Sequence, residues 1–178
     1  MNAPRALFLT GSPGIGKTTV IRRVAERLRE SKLGGFYTEE VRETGERHGF
    51  QLVGFDGTVK IIAHVGFSRV HRVGKYGVDV RAIDEAAGLL APDPAAEIYL
   101  VDEIGKMECL SERFVAGIRT LLSGSKPVVA TVALHGSGFI AEVKRAHSSA
   151  IWKVTHVNRG ILPLHVLDWL EEAVQHEA

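Results

Sequence analysis

The sequence predicts an α/β fold: a mostly parallel sheet flanked by helices and extended by antiparallel strands. Three observations carry this. Short apolar runs alternate with helical periods along most of the chain, the pattern of strand–helix–strand units. A glycine-rich turn, GSPGIGKTT at 11–19, joins the first apolar run to the first helical one. A block of extended runs at about 34–73 is punctuated by TG and DG, which mark hairpins rather than crossovers.

Ala6 to Thr10 reads as a short buried strand running into the glycine turn. From Thr18 to Ser31, Val20, Ile21, Val24, Ala25 and Leu28 share one helical face, and Gly34 and Gly35 are expected to stop that helix. Phe36, Thr38 and Val41 open two or three antiparallel strands laid beside the main sheet. GVDVRAIDEAAGLLAPDP then gives a short strand and a helix ended by Pro92 and Pro94. IYLVDE at 98–103 is an apolar run ending in two acids, as a parallel strand buried on both faces would be. A helix capped by Ser111 and closed by Gly124 follows. KPVVATVAL reads as a buried strand, SGFIAEVKRAH as a helix and AIWKVT as a strand. The last helix carries Pro163 in its first turn. No repeat or linker divides the chain, so one domain is expected over 1–178.

The bulk properties narrow the partners. A chain of 178 residues suffices for one core. A net charge of +1 makes no broad case for nucleic acid or an anionic membrane. The single cysteine, Cys109, excludes an internal disulfide and suits a reducing compartment. No apolar run is long enough to span a bilayer, and the first is too short for a signal-peptide core. A cytoplasmic protein is expected. Nucleic acid is not indicated, and a monomer is favoured.

Gly11 to Thr18 fits G-x-x-x-x-G-K-[ST] at each fixed position: Gly11, Gly16, Lys17 and Thr18. The loop Gly11, Ser12, Pro13, Gly14, Ile15, Gly16 is bare enough for its backbone N–H groups to converge on phosphate oxygens. The helix that follows, with Thr18 and Thr19 in its first turn, aims its positive dipole end at the same point. Lys17 would reach the outer phosphates and Thr18 would place its hydroxyl on Mg²⁺. A plain glycine-rich turn is the alternative. Four such positions match by accident in about one chain of this size per hundred, and the setting between strand and helix favours a nucleoside triphosphate.

A phosphate cradle needs a metal partner on a neighbouring strand. Asp102, at the carboxyl edge of the 98–103 run, is the expected one. Glu103 follows it and would face the other way, free to polarise an attacking water. That second acid tilts the reading toward hydrolysis, because a nucleotide kinase needs no acid to activate water. A further cation would offset charge on the transferring group. Lys106, tethered beside the two acids, is the first choice; Arg159, Lys75 and Arg42 follow, each of which also reads as a solvated surface charge. Asn158 and Arg159 would touch base or ribose, or Asn158 would cap its own loop. Phe36, Tyr37 and Thr38 read as an antiparallel strand passing over the phosphates, and Glu39 and Glu40 either as members of the metal or water network or as outward acids. Trp152 reads as core and Cys109 as an apolar filler. No H-E-x-x-H, zinc or G-x-S-x-G pattern is present.

With GSPGIGKTT, GGFYTEEVRETGERHGFQLV, RVGKYGVDV, LVDEIGKMECLSERF and VNR in order, the chain resembles the cancer-related nucleoside triphosphatases. These are small P-loop proteins with counterparts in thermophilic archaea and bacteria. The loop is shared by a large superfamily; GFYTEEVRE and DEIGKMEC are far more specific. The resemblance implies a RecA-like sheet and slow, Mg²⁺-dependent hydrolysis of several nucleoside triphosphates. It also implies nucleotide contacts from Gly11 to Thr18 and from the Ile98 to Gly105 stretch, Ile104 and Gly105 among them. Two other functions stay open: a phosphotransferase whose antiparallel insertion covers an acceptor, and a nucleotide-dependent switch that binds RNA or protein.

Overall fold

The computed structural model describes residues 5–175. Its centre is one mixed sheet of nine strands: β1 (Ala6–Gly11), β2 (Leu33–Glu43), β3 (Glu46–Gly54), β4 (Val59–His64), β5 (Arg72–Val73), β6 (Tyr76–Val78), β7 (Ile98–Ile104), β8 (Val128–Ala133) and β9 (Ile151–Lys153). Their spatial order is β5-β6-β4-β3-β2-β7-β8-β1-β9. From β2 to β9 every pairing is parallel; from β2 outward to β5 every pairing is antiparallel. Strand β2 therefore belongs to both halves. Its first residues, Leu33 to Phe36, run beside β7, and Phe36 onward pairs with β3.

The helices are α1 (Lys17–Arg27), α2 (Val80–Ala86), α3 (Glu112–Ser123), α4 (Phe139–Ala146) and α5 (Leu162–Gln175). Alternate residues of β1 point to opposite faces, so both faces need cover. Leu7 and Leu9 join Val20, Ile21 and Val24 of α1 and Val166 and Leu170 of α5 in one apolar cluster. Phe8 joins Ile83 of α2, Phe114 and Ile118 of α3 and Ile140 of α4 in the other. Asp79 caps α2 by accepting from Arg81 and Ala82 N–H, and Ser111 caps α3 by accepting from Phe114 N–H. Among the described residues no helix is long and apolar enough to cross a membrane.

One sequence expectation is corrected here. Gly34 and Gly35 do not stop α1, which already ends at Arg27. They lie inside β2, where the backbone needs them bare. Gly35 has φ +92°, and a Cβ there would fall 2.1 Å from the Leu100 carbonyl oxygen on β7. The two glycines let the parallel core and the antiparallel wing meet at van der Waals distance.

Candidate active site

The phosphate loop runs from the end of β1 to the start of α1. Gly16 occupies the N-cap in the left-handed region, with φ 109°, and no side chain caps the helix. The amides of the first turn are left for a ligand, which is how helix N-termini hold anions. Ile15 closes the loop by donating its N–H to the Ser12 carbonyl at 3.1 Å, and its side chain enters the core. Lys17 is 8% exposed. Its Nζ donates to the Gly11 carbonyl at 3.0 Å and lies 3.5 Å from Glu103 Oε2.

Asp102 sits at the carboxyl end of β7 and is 1% exposed. Three hydroxyls surround its carboxylate. Thr18 Oγ1 donates to Oδ2 at 2.7 Å, Thr38 Oγ1 to the same oxygen at 2.9 Å, and Thr131 Oγ1 to Oδ1 at 2.6 Å. Thr38 comes from β2 and Thr131 from β8, the two strands that flank β7. Asp102 is thus gripped from α1 and from both neighbouring strands. The peptide joining Asp102 to Glu103 is cis.

Glu103 is the more open of the two acids, with 30% of its side chain exposed. Burial pushes its carboxyl above the usual carboxylate range; Lys17 pulls it back and Asp102 adds to the upward push. The two acids differ in their surroundings, Asp102 held by hydroxyls and Glu103 more open, but both line one cavity of about 830 Å³ rather than facing opposite ways. The loop, Thr38, Lys106 and Glu108 also line that cavity, which extends over β2 and β3 to Arg47 and Phe50.

Lys106 stands exposed on the cavity rim and has no ion-pair or hydrogen-bond partner among the described residues. The other candidate cations are engaged. Arg42 binds Glu40 and the Gly45 carbonyl, and Lys75 lies over the Tyr76 ring. Arg159 donates to the Ile15 carbonyl at 3.3 Å, beside the loop. Asn158 spends its side chain on its own turn: Oδ1 accepts from Thr155 N–H and Nδ2 donates to the Lys153 carbonyl. Of its two readings, the loop cap is the one with contacts. Ile104 is fully buried in the core, and neither it nor Gly105 is among the residues that line the cavity. Glu39 pairs with Arg22 and Glu40 with Arg42 and Arg47, and both acids line the same cavity as Asp102. Burial pushes the Cys109 thiol up to about 12, which makes it inert rather than activated.

Sequence spacing missed two residues, Thr131 and Glu108, and gave Thr38 only as part of a strand passing over the phosphates, without its contact to Asp102. Each lies outside the two motifs and reaches the site through strand register or a local turn. A threonine in an otherwise apolar central strand, as at 131 in VVATVA, is the one signal that pointed there.

A family model described as NTPase matches residues 6–167. The chain is 35% identical over 168 residues to the nucleoside-triphosphatase THEP1 of Thermotoga sp. (strain RQ2), covering 93% of this chain and 95% of that protein. It is 35% identical over 178 residues to the human cancer-related nucleoside-triphosphatase, covering 89% and 92%. The crystal structure of THEP1 from the hyperthermophile Aquifex aeolicus superposes with a TM-score of 0.83 at 32% identity, covering 93% of this chain and 99% of that one.

Proposed function

The chain belongs to the NTPase family, with the THEP1 and cancer-related nucleoside triphosphatases, and from that premise we propose that it hydrolyses nucleoside triphosphates to diphosphate and phosphate. One observation carries the choice of water as acceptor. Glu103 opens into the cavity 3.5 Å from Lys17, so an acid able to take a proton stands where the outer phosphate would end.

Each residue then has a task. The amides of the 11–18 loop and Lys17 hold the phosphates. Glu103 orients the attacking water and accepts its proton. Lys106, unpartnered on the rim, offsets charge on the equatorial oxygens; a well-placed cation of this kind is worth roughly 10³ to 10⁵ in rate. Arg159 borders the loop on its outer side, and Asn158 holds the turn that carries it. The contacts assigned to the loop, Lys17 and Lys106 fall on phosphates rather than on the base, which supports weak base selectivity, with ATP and GTP both serving.

The oxygen donors Thr18 and Asp102 suit Mg²⁺, a hard cation that takes one or two protein ligands plus substrate phosphates. Thr18 gives its proton to Asp102, which leaves the hydroxyl lone pairs available. When bound, the ion would neutralise charge on the outer phosphate oxygens.

The test is Glu103→Gln. Nucleotide affinity is expected to stay within about twofold, while turnover falls at least about tenfold; unchanged turnover removes Glu103 from the reaction. The cavity's extension over β2 and β3 favours one second reading, a phosphotransferase. Labelled γ-phosphate recovered on an added acceptor rather than as free phosphate would select it.

A further inference from the structure

One buried acid in the cavity has no task in the mechanism above. Glu108 stands in the turn after β7 and is 5% exposed. It lines the same cavity as Lys17 and Glu103. Among the described residues no cation is paired with it, and backbone N–H groups of Gly105 and of Glu108 itself serve its carboxyl. A Cβ on Gly105 would fall 2.7 Å from Glu108 Oε2 and 2.8 Å from Glu103 Oε1. Two carboxyl groups thus flank one bare backbone position.

The local charge leaves little room for both to ionise. Asp102 and Glu103 are already acids, the substrate brings further negative charge, and Lys17 is spent on Glu103 and the loop. Two carboxyls sharing a poorly solvated site hold a proton between them. We propose that Glu108 is a positioning residue for hydrolysis: a neutral buried acid that fixes the turn carrying Glu103 and keeps an additional negative charge away from the γ-phosphate. This deepens the hydrolytic reading and rests on it.

The surroundings agree. Burial, and then the Glu103 charge, push the Glu108 carboxyl up to about 8. It therefore carries its proton at neutral pH and releases it to solvent in mild alkali. The charged and titratable groups around it are Glu103 and Asp102 at the end of β7, Lys17 on α1, Lys106 and Cys109 on its own turn, Glu112 at the start of α3, and Asp84 on α2, bonded by Ser111. Cys109, pushed up to about 12, stays neutral over this range. Ionised Glu108 would face Glu103 across Gly105 with no new cation to offset it.

The experiment compares turnover from pH 7 to 9.5 in the intact chain, Glu108→Ala and Glu108→Gln. Glutamine keeps the acceptor oxygen and a donor but cannot ionise. At pH 7, Glu108→Ala is expected to lose at least tenfold in turnover, and Glu108→Gln to recover at least fivefold of that. Native turnover should fall about tenfold between pH 7 and 9.5, and that of Glu108→Gln by less than threefold. An alkaline fall of equal size in both, or a glutamine variant as poor as alanine, overturns the proposal. Infrared spectroscopy of the native chain gives a readout that needs neither variant nor turnover. A protonated-carboxyl band should be present at pH 7, persist in Glu103→Gln and vanish by pH 9.5; its absence at pH 7 also overturns the proposal. A chain that shows the band but hydrolyses nothing sinks the hydrolytic reading instead.

Discussion

Three threonine hydroxyls decide how Asp102 behaves. A buried carboxylate without hydrogen bonds is costly, and here every hydrogen bond to its side chain from the described residues comes from Thr18, Thr38 or Thr131. Thr18 belongs to the loop motif and is also proposed above to hold Mg²⁺. Thr131 has no such second role: it is fully buried, and its hydroxyl reaches Oδ1 alone. Thr131→Val keeps the shape and deletes that donor. Loss of an outer-shell partner typically weakens metal affinity 10- to 100-fold. The expected result is a Mg²⁺ midpoint for hydrolysis raised by at least tenfold, with stability lowered by about 1–3 kcal/mol for the carboxylate oxygen left short of a partner. Thr38→Val should cost less, because the Thr38 backbone N–H still donates to Oδ2 at 3.3 Å. A Mg²⁺ titration of turnover in both variants checks this; an unmoved midpoint for Thr131→Val denies it a positioning role. The motif residues Gly11 to Thr18, Asp102 and Glu103 were legible in the sequence because their chemistry fixes their spacing along the chain. The contacts of Thr38 and Thr131 with Asp102 were not, since both form through strand register, which no linear pattern encodes; for Thr38 only its strand's course over the phosphates was legible. The pairing of Glu39 and Glu40 with arginines was hidden for the same reason.

At the scale of elements, strand β2 does the joining, and two glycines allow it. The sequence placed Gly34 and Gly35 as a helix stop, a reading based on local propensity. Tertiary contact overrides it: Gly35 is bare because the Leu100 carbonyl of β7 occupies the space of a side chain. Gly35→Ala therefore meets two penalties, a left-handed backbone and a clash with main chain that has nowhere to move. Gly45 separates them. It has φ +86°, in the turn between β2 and β3, and nothing lies within 4 Å of its Cβ direction. Gly45→Ala is expected to cost about 1 kcal/mol from backbone conformation alone, and Gly35→Ala about 2–4 kcal/mol. For a chain of this size the larger value lowers the melting temperature by on the order of 10 °C. Thermal melts followed by circular dichroism decide it: if the two alanines are equally costly, close approach to β7 is not what Gly35 provides. The strands and helices themselves were largely readable, because apolar alternation and caps such as Ser111 are local. Their order in the sheet, with β2 between β3 and β7, was not.

For the whole molecule, the shared strand couples the antiparallel wing to the nucleotide site. Strand β2 is hydrogen-bonded to β7 at its start and to β3 along the rest, and its Thr38 holds the acid at the end of β7. Peeling the wing away would strip β2 from the core, expose Phe36 and Leu52, both fully buried, and take a donor from Asp102. We therefore expect the chain to unfold as one cooperative unit, the behaviour of a single domain rather than of a core with an independent appendage. A ligand that binds only the folded state stabilises all of such a unit. At 100 times its dissociation constant that is about 2.7 kcal/mol, or roughly 5–10 °C in melting temperature for this length. Calorimetry with Mg²⁺ and a non-hydrolysable triphosphate should thus show one transition that moves upward as a whole. Lys17→Ala, which removes the cation at the phosphate loop, should lose most of the shift at the same ligand concentration. Two transitions, of which only one responds to nucleotide, would mean that the wing folds separately and that Thr38 does not link it to the site.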